Sequence, residues 1–139
     1  MNPVIVDTNV VVAGLLTADS HSPVVRILDG MLSAAFPFVL SEQLLAEYHD
    51  VLERPKLRKL HGLDAVAVDI VLVELALHAI VLKPVAAPTA PDPGDQHLWD
   101  LLAARDGLRL VTGDKRLLAD ALMLDRLLSP RAFIDLWHP

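Results

Sequence analysis

The chain has 139 residues, 53% of them hydrophobic and 22% charged, with a formal charge of −6 and a pI near 5.3. That length suits a single domain spanning residues 1–139 with its own core, and the apolar content argues against disorder. With no cysteine, disulfides and thiolate metal sites are excluded and a reducing cytoplasm suits the chain, while the acidic balance argues against gripping nucleic acid through a broadly basic surface.

The stretch "PVIVDTNVVVAGLL" runs apolar, then polar, then apolar again. Its β-branched start predicts a short buried strand at 3–6, stopped by Asp7-Thr8-Asn9, and a helix from Asn9 or Val10. "MNPVIVD" meets a carboxylate after a few apolar residues and carries no basic region, so it does not read as a signal peptide. In "SPVVRILDGML", Ser22 and Pro23 stand at the cap and first position of a second helix. "FPFVL" reads as the next strand. Ser41 then caps a helix, "EQLLAEYHDVLERP", that Pro55 ends. The basic run "RPKLRK", Arg54 to Lys59, reads as a solvated helix end and turn, with a local nucleic-acid contact as the alternative.

Residues 63–82, "LDAVAVDIVLVELALHAIVL", have the length of a membrane span, but Asp64, Asp69, Glu74 and His78 make a soluble helix the better reading. Asp64, Glu74 and His78 share one side, and Asp69 sits among apolar residues on the other. Val71 and Leu75 flank that polar side, so the reading exposes them in a monomer. Either a subunit or partner covers them, or they are isolated exposed apolar residues. A strand at 80–82 follows, and the proline-rich "KPVAAPTAPDPG" is a connecting loop. Then come a helix from Asp95, a strand "LRLVT" from 108, a turn "GDK", a short helix "RLLADAL", a strand near 124–128 and a last helix from Pro130. Alternating short strands and helices predict an α/β fold with a mainly parallel sheet.

In such a sheet, functional groups gather outside the carboxyl ends of the strands. Asp7 closes the first strand and Asp114 follows "LRLVT", so two acids share one edge. Helical spacing sets Glu47 at the margin of its helix's apolar face and turns Asp95 toward the core, beside Asp92 in "DPGD". Each aspartate has an ordinary alternative as a turn or helix cap. Energies separate the two readings. Two carboxylates 4 Å apart repel by roughly 4 kcal/mol at an effective dielectric of 20, whereas a cap contributes only about 1 kcal/mol. If Asp7, Glu47, Asp95 and Asp114 converge, a divalent cation or raised pKa values must hold them together, and oxygen ligands alone suit Mg²⁺ or Mn²⁺.

Together "VIVDTNVVVAGLL", "LSEQLLAEYHDVLERPKL", "APDPGDQHLWDLLAARDGLRLVTGDKRLL" and "LSPRAFIDLW" resemble the PIN domain family, and within it the VapC-like toxin group. The resemblance implies a three-layer α/β/α sandwich and a metal-dependent ribonuclease. It carries the metal and catalytic roles to Asp7, Glu47, Asp95 and Asp114, an accessory role to Asp92, and support of the carboxylates or bound water to Thr8, Asn9 and Thr112. It also implies an RNA substrate, a small antitoxin partner and a homodimer; the lack of cysteine and of a signal peptide makes the cytoplasm the expected location, and the charged residues within 63–82 argue against a membrane. "DPGD" is less acidic than the corresponding loop of many relatives.

His97 could reach substrate, although a lone histidine is more often a core or surface residue; Trp99, Phe133 and Trp137 read as core. No HExxH, P-loop, G-x-G-x-x-G or G-x-S-x-G pattern occurs. Two rival functions stand beside the ribonuclease. One is a phosphoacceptor or phosphatase with Asp7 as nucleophile and Lys115 on the phosphate, although Asn9 stands where a second aspartate is wanted. The other is a non-catalytic interaction module whose binding face is the apolar helix.

Overall fold

The computed structural model of the chain describes residues 1–120 and 124–138. Its strands are β1 (Val4–Val6), β2 (Phe38–Leu40), β3 (Ile80–Val81), β4 (Arg109–Val111) and β5 (Leu127–Leu128). They form one parallel sheet in the order β3-β2-β1-β4-β5. β1 and β2 are buried along their whole length, which is why "VIV" and "FVL" are continuous apolar runs rather than alternating ones.

Helices α1 (Thr8–Leu16) and α2 (Pro23–Leu32) join β1 to β2. Three more, α3 (Glu42–Leu52), α4 (Pro55–His61) and α5 (Ala65–His78), join β2 to β3. The chain then returns past β1 through α6 (Gln96–Leu102) to β4, continues through α7 (Lys115–Leu118) to β5, and ends in α8 (Pro130–Trp137). The crossovers reverse direction at β1, so their right-handedness puts α1 to α5 on one face and α6 and α7 on the other. The result is the expected three-layer α/β/α sandwich, with a sheet that is entirely parallel among the described residues.

Packing between α1 and α2 depends on Gly14, because a Cβ there would lie 2.8 Å from the Val24 carbonyl oxygen. α8 packs on α2. Phe36 sits edge-on to Phe133 and Trp137, with ring centroids 4.9 and 4.8 Å apart. Phe133 and Trp99 are buried as expected, and Trp137 is half-buried. No helix among the described residues is long and apolar enough to cross a membrane.

Several elements differ from the sequence reading. α1 starts at Thr8 because the Asp7 carboxylate accepts from the Thr8 N–H and so caps it. "RPKLRK" is no turn: Pro55 opens a separate helix, which ends at Gly62 with φ 68°. A 3₁₀ turn over Pro93–Asp95 precedes α6, and another over Leu124–Arg126 precedes β5. The helix expected over "RLLADAL" stops at Leu118, and its last residues, 121 and 122, lie outside the described residues.

The largest correction concerns α5. Leu75 is fully buried and Val71 half-buried, while Val66, Ile70, Val73 and Leu77 are the exposed apolar side chains. Asp69 is exposed too, 4.0 Å from His49. Asp64 is not part of a helical stripe, because it caps the helix through the Ala67 N–H. With that acid removed the polar side is thin, and nearly every remaining position is aliphatic. Fit against α2 and α3, on which α5 packs, then decides which face is buried.

Candidate active-site cleft

The strand order reverses between β1 and β4, which is where a parallel sheet opens a crevice. Val6 aligns with Val111, and the Asp7 N–H donates to the Val111 carbonyl at 2.9 Å. Asp7 and Thr112 therefore leave the sheet side by side. Thr112 Oγ1 donates to Asp7 Oδ2 at 2.8 Å and accepts from the Asp114 N–H at 3.0 Å. Asn9 completes the link: Nδ2 donates to Asp7 Oδ2 at 3.2 Å, and Oδ1 accepts from the Gly113 N–H at 2.9 Å. "DTN" and "TGD" thus form one hydrogen-bonded unit built from two loops 105 residues apart.

α3 supplies the third acid. Ser41 caps this helix through the Leu44 N–H, and the buried Tyr48 hydroxyl donates to the Val6 carbonyl, pinning the helix beneath the end of β1. Burial first, then the Asp7 and Glu47 charges, push the Tyr48 phenol well above its ordinary pKa. Glu47 is half-buried, as its helical position predicts. Its Oε1 accepts from Thr8 Oγ1 at 2.8 Å, and its Oε2 lies 2.6 Å from Nε2 of the buried His97.

Asp95 stands at the start of α6 but makes no capping bond there. Asp114 and Asp92 do cap, through the Arg116 and Gly94 N–H groups at 2.9 and 2.8 Å. Asp92 is exposed and lies outside the main cleft, in an adjoining groove with Asp95 and Asp114.

Asp7, Glu47, Asp95 and Asp114 line a single cleft of about 440 Å³ together with Thr8, Asn9, the apolar Val12, Ala13, Leu16 and Val51, and Arg54. Burial raises the Asp7 carboxyl above the usual range; the Thr112 and Thr8 hydrogen bonds pull it back, and the Glu47 and Asp95 charges push it up further. Burial also raises Asp95, reinforced by Asp92, Asp114 and Glu47 and opposed by His97. The four acids are thus close enough to interact. They do not meet at a point: among the described residues no three acidic or imidazole groups stand at metal-binding spacing. Like charges repel, and Glu47 and Asp114 are held back by partners of their own.

Two features of the cleft and its surroundings escaped the sequence reading. His97 is the partner of Glu47 rather than an independent core residue, a contact that spans two helices and has no local signature. Arg54 shares the cleft with Glu47 and Val51, and the i, i+4, i+7 spacing of those three positions was available as a signal.

A family model described as PIN domain matches residues 3–116, a span that contains all four acids, Asp92, Thr112 and His97. No curated protein matches the chain.

Proposed function

This chain belongs to the PIN domain family, which gives it a nuclease-like function, and from that premise we propose that it is a Mg²⁺- or Mn²⁺-dependent ribonuclease. The observation that supports this reading most is the acid cleft, where Asp95 is partly buried and makes no capping bond. The donor set fits a divalent ion. All four carboxylates are oxygen ligands suited to Mg²⁺ or Mn²⁺, and Asp7 and Asp95, raised first by burial and then by their acidic neighbours, are groups whose charged form a cation would favour.

Asp7, Asp95, Asp114 and Glu47 are the proposed holders of the ion, with Asp92 as an accessory in the adjoining groove. When bound, a divalent ion would supply Lewis acidity and neutralise the charge of the scissile phosphate. The chain's own groups do the positioning. Thr112, Asn9 and the Thr8 N–H fix both Asp7 oxygens. Thr8 holds Glu47 through a hydrogen bond to Oε1, with His97 beside Oε2, and this carboxylate would orient the attacking water and take its proton. Val12, Leu16 and Val51 give the same cleft an apolar part of its wall.

Against the phosphoacceptor reading stands Asn9, at the position where a second aspartate is wanted. In the finer proposal the chain is a single-domain VapC-like toxin of a bacterial toxin–antitoxin pair. It works in the cytoplasm, with a small antitoxin partner and a second copy of itself. The test is cleavage of single-stranded RNA in Mn²⁺. Asp7→Asn should lose about 10²-fold or more in rate, and chelator should silence the wild type. Activity retained in either case contradicts the assignment.

A further inference from the structure

A chain of charge −6 whose cleft presents four carboxylates must attract a phosphodiester strand by some local means. Arg54 lies in that cleft. It is exposed and, among the described residues, forms no ion pair, although four carboxylates line the same space. The adjoining groove, about 420 Å³, contains Asp95, Asp114 and Arg116. The two depressions adjoin at Asp95 and Asp114, which line both, and Arg54 lines one part of this channel and Arg116 the other. Arg116 is largely exposed and only loosely paired, 3.7 Å from Asp114, a contact that solvent screens.

Positive charge continues beyond Arg54. Lys56, Arg58 and Lys59 on α4 are exposed. With Arg54 they make four of the chain's twelve Lys and Arg within six residues. An unpaired guanidinium keeps its fork of donors free for a phosphate.

Building on the ribonuclease reading, we propose that Arg54 and Arg116 grip the phosphates on either side of the scissile bond of a single-stranded RNA, with Lys56, Arg58 and Lys59 extending the grip on the Arg54 side. This placement then accounts for how an acidic protein holds an anionic strand: a cation in each part of the channel secures a flank, and the acids that line both parts face the phosphate to be cut.

The experiment is kcat/KM for a labelled single-stranded oligoribonucleotide in Mn²⁺ across roughly 50 to 200 mM salt. The proteins compared are wild type, Arg54→Gln, Arg54→Lys, Arg116→Gln and Arg109→Gln, each checked for an unchanged melting temperature. Arg109 is an exposed residue opening β4 at the opposite edge of the sheet, so it controls for net charge. Each Gln variant in the channel should raise KM about tenfold with kcat little changed. Each should also flatten the log–log salt slope by about 0.7, the value for one lost single-strand phosphate contact. Arg54→Lys should keep the wild-type slope, and Arg109→Gln should match wild type. Channel variants indistinguishable from Arg109→Gln would overturn this inference while leaving the ribonuclease standing. A wild type that neither binds nor cuts RNA overturns both.

Discussion

Asp95 is the residue whose substitution separates stability from function most cleanly. It caps nothing, it is surrounded by Asp92, Asp114 and Glu47, and amide replacement removes repulsion without removing a helix cap. Asp95→Asn should therefore stabilise the metal-free protein, by about 0.5–1 kcal/mol because the half-exposed group is screened by solvent, while abolishing cleavage. The sign of its pH dependence follows from linkage. Asp7 and Asp95 are both raised above 3.8 in the folded chain, so the fold binds their protons more tightly than the unfolded chain does. Their contribution to stability falls as pH rises from the unfolded value through the folded one, and the penalty is complete once pH stands above the folded value. Melting curves of wild type and Asp95→Asn without metal should differ most near pH 7 and converge as pH drops toward 4; a constant or reversed difference would refute the account. At this scale the sequence showed the acids well, because strand ends and helical azimuths are local. It did not show His97 on Glu47, a contact between two helices that only packing decides.

Among the elements, α5 tests how its buried face was chosen. Leu75 is fully buried and Ile70 exposed, so Leu75→Ala should cost about 2–5 kcal/mol, whereas Ile70→Lys should stay within about 0.5 kcal/mol. Denaturant midpoints of the two variants would show it, and a reversed order would mean the helix is rotated. The sequence reading placed Leu75 on the exposed side because it trusted three polar residues, one of which, Asp64, is a cap. A helix aliphatic on nearly all sides carries little azimuthal information. The separate α4 was missed for a related reason: proline both ends a helix and opens one, and Pro55 does the second. Element existence elsewhere was legible from caps and β-branched runs, as at Ser41, Pro130 and "VIV".

For the whole molecule, the decisive fact is that β1 and β4 are neighbours although more than 100 residues separate them. Strand order is not written in any local pattern. Even so, the rule that functional groups gather at the carboxyl edge of a parallel sheet was enough to bring Asp7 and Asp114 together, and the fold adds Glu47 and Asp95 from the helices that border the same crevice. Repulsion among these acids persists in the metal-free chain, and a divalent ion is what would relieve it. The most direct test is a calorimetric Mn²⁺ titration of wild type and Asp95→Asn, with RNA cleavage followed in the same samples. The account predicts that the wild type binds Mn²⁺ and cleaves, and that the variant loses affinity by about 10- to 100-fold along with its activity. Absence of Mn²⁺ binding in the wild type even with RNA present, or equal binding in both proteins, would contradict it and leave the acids as structural groups of an interaction module.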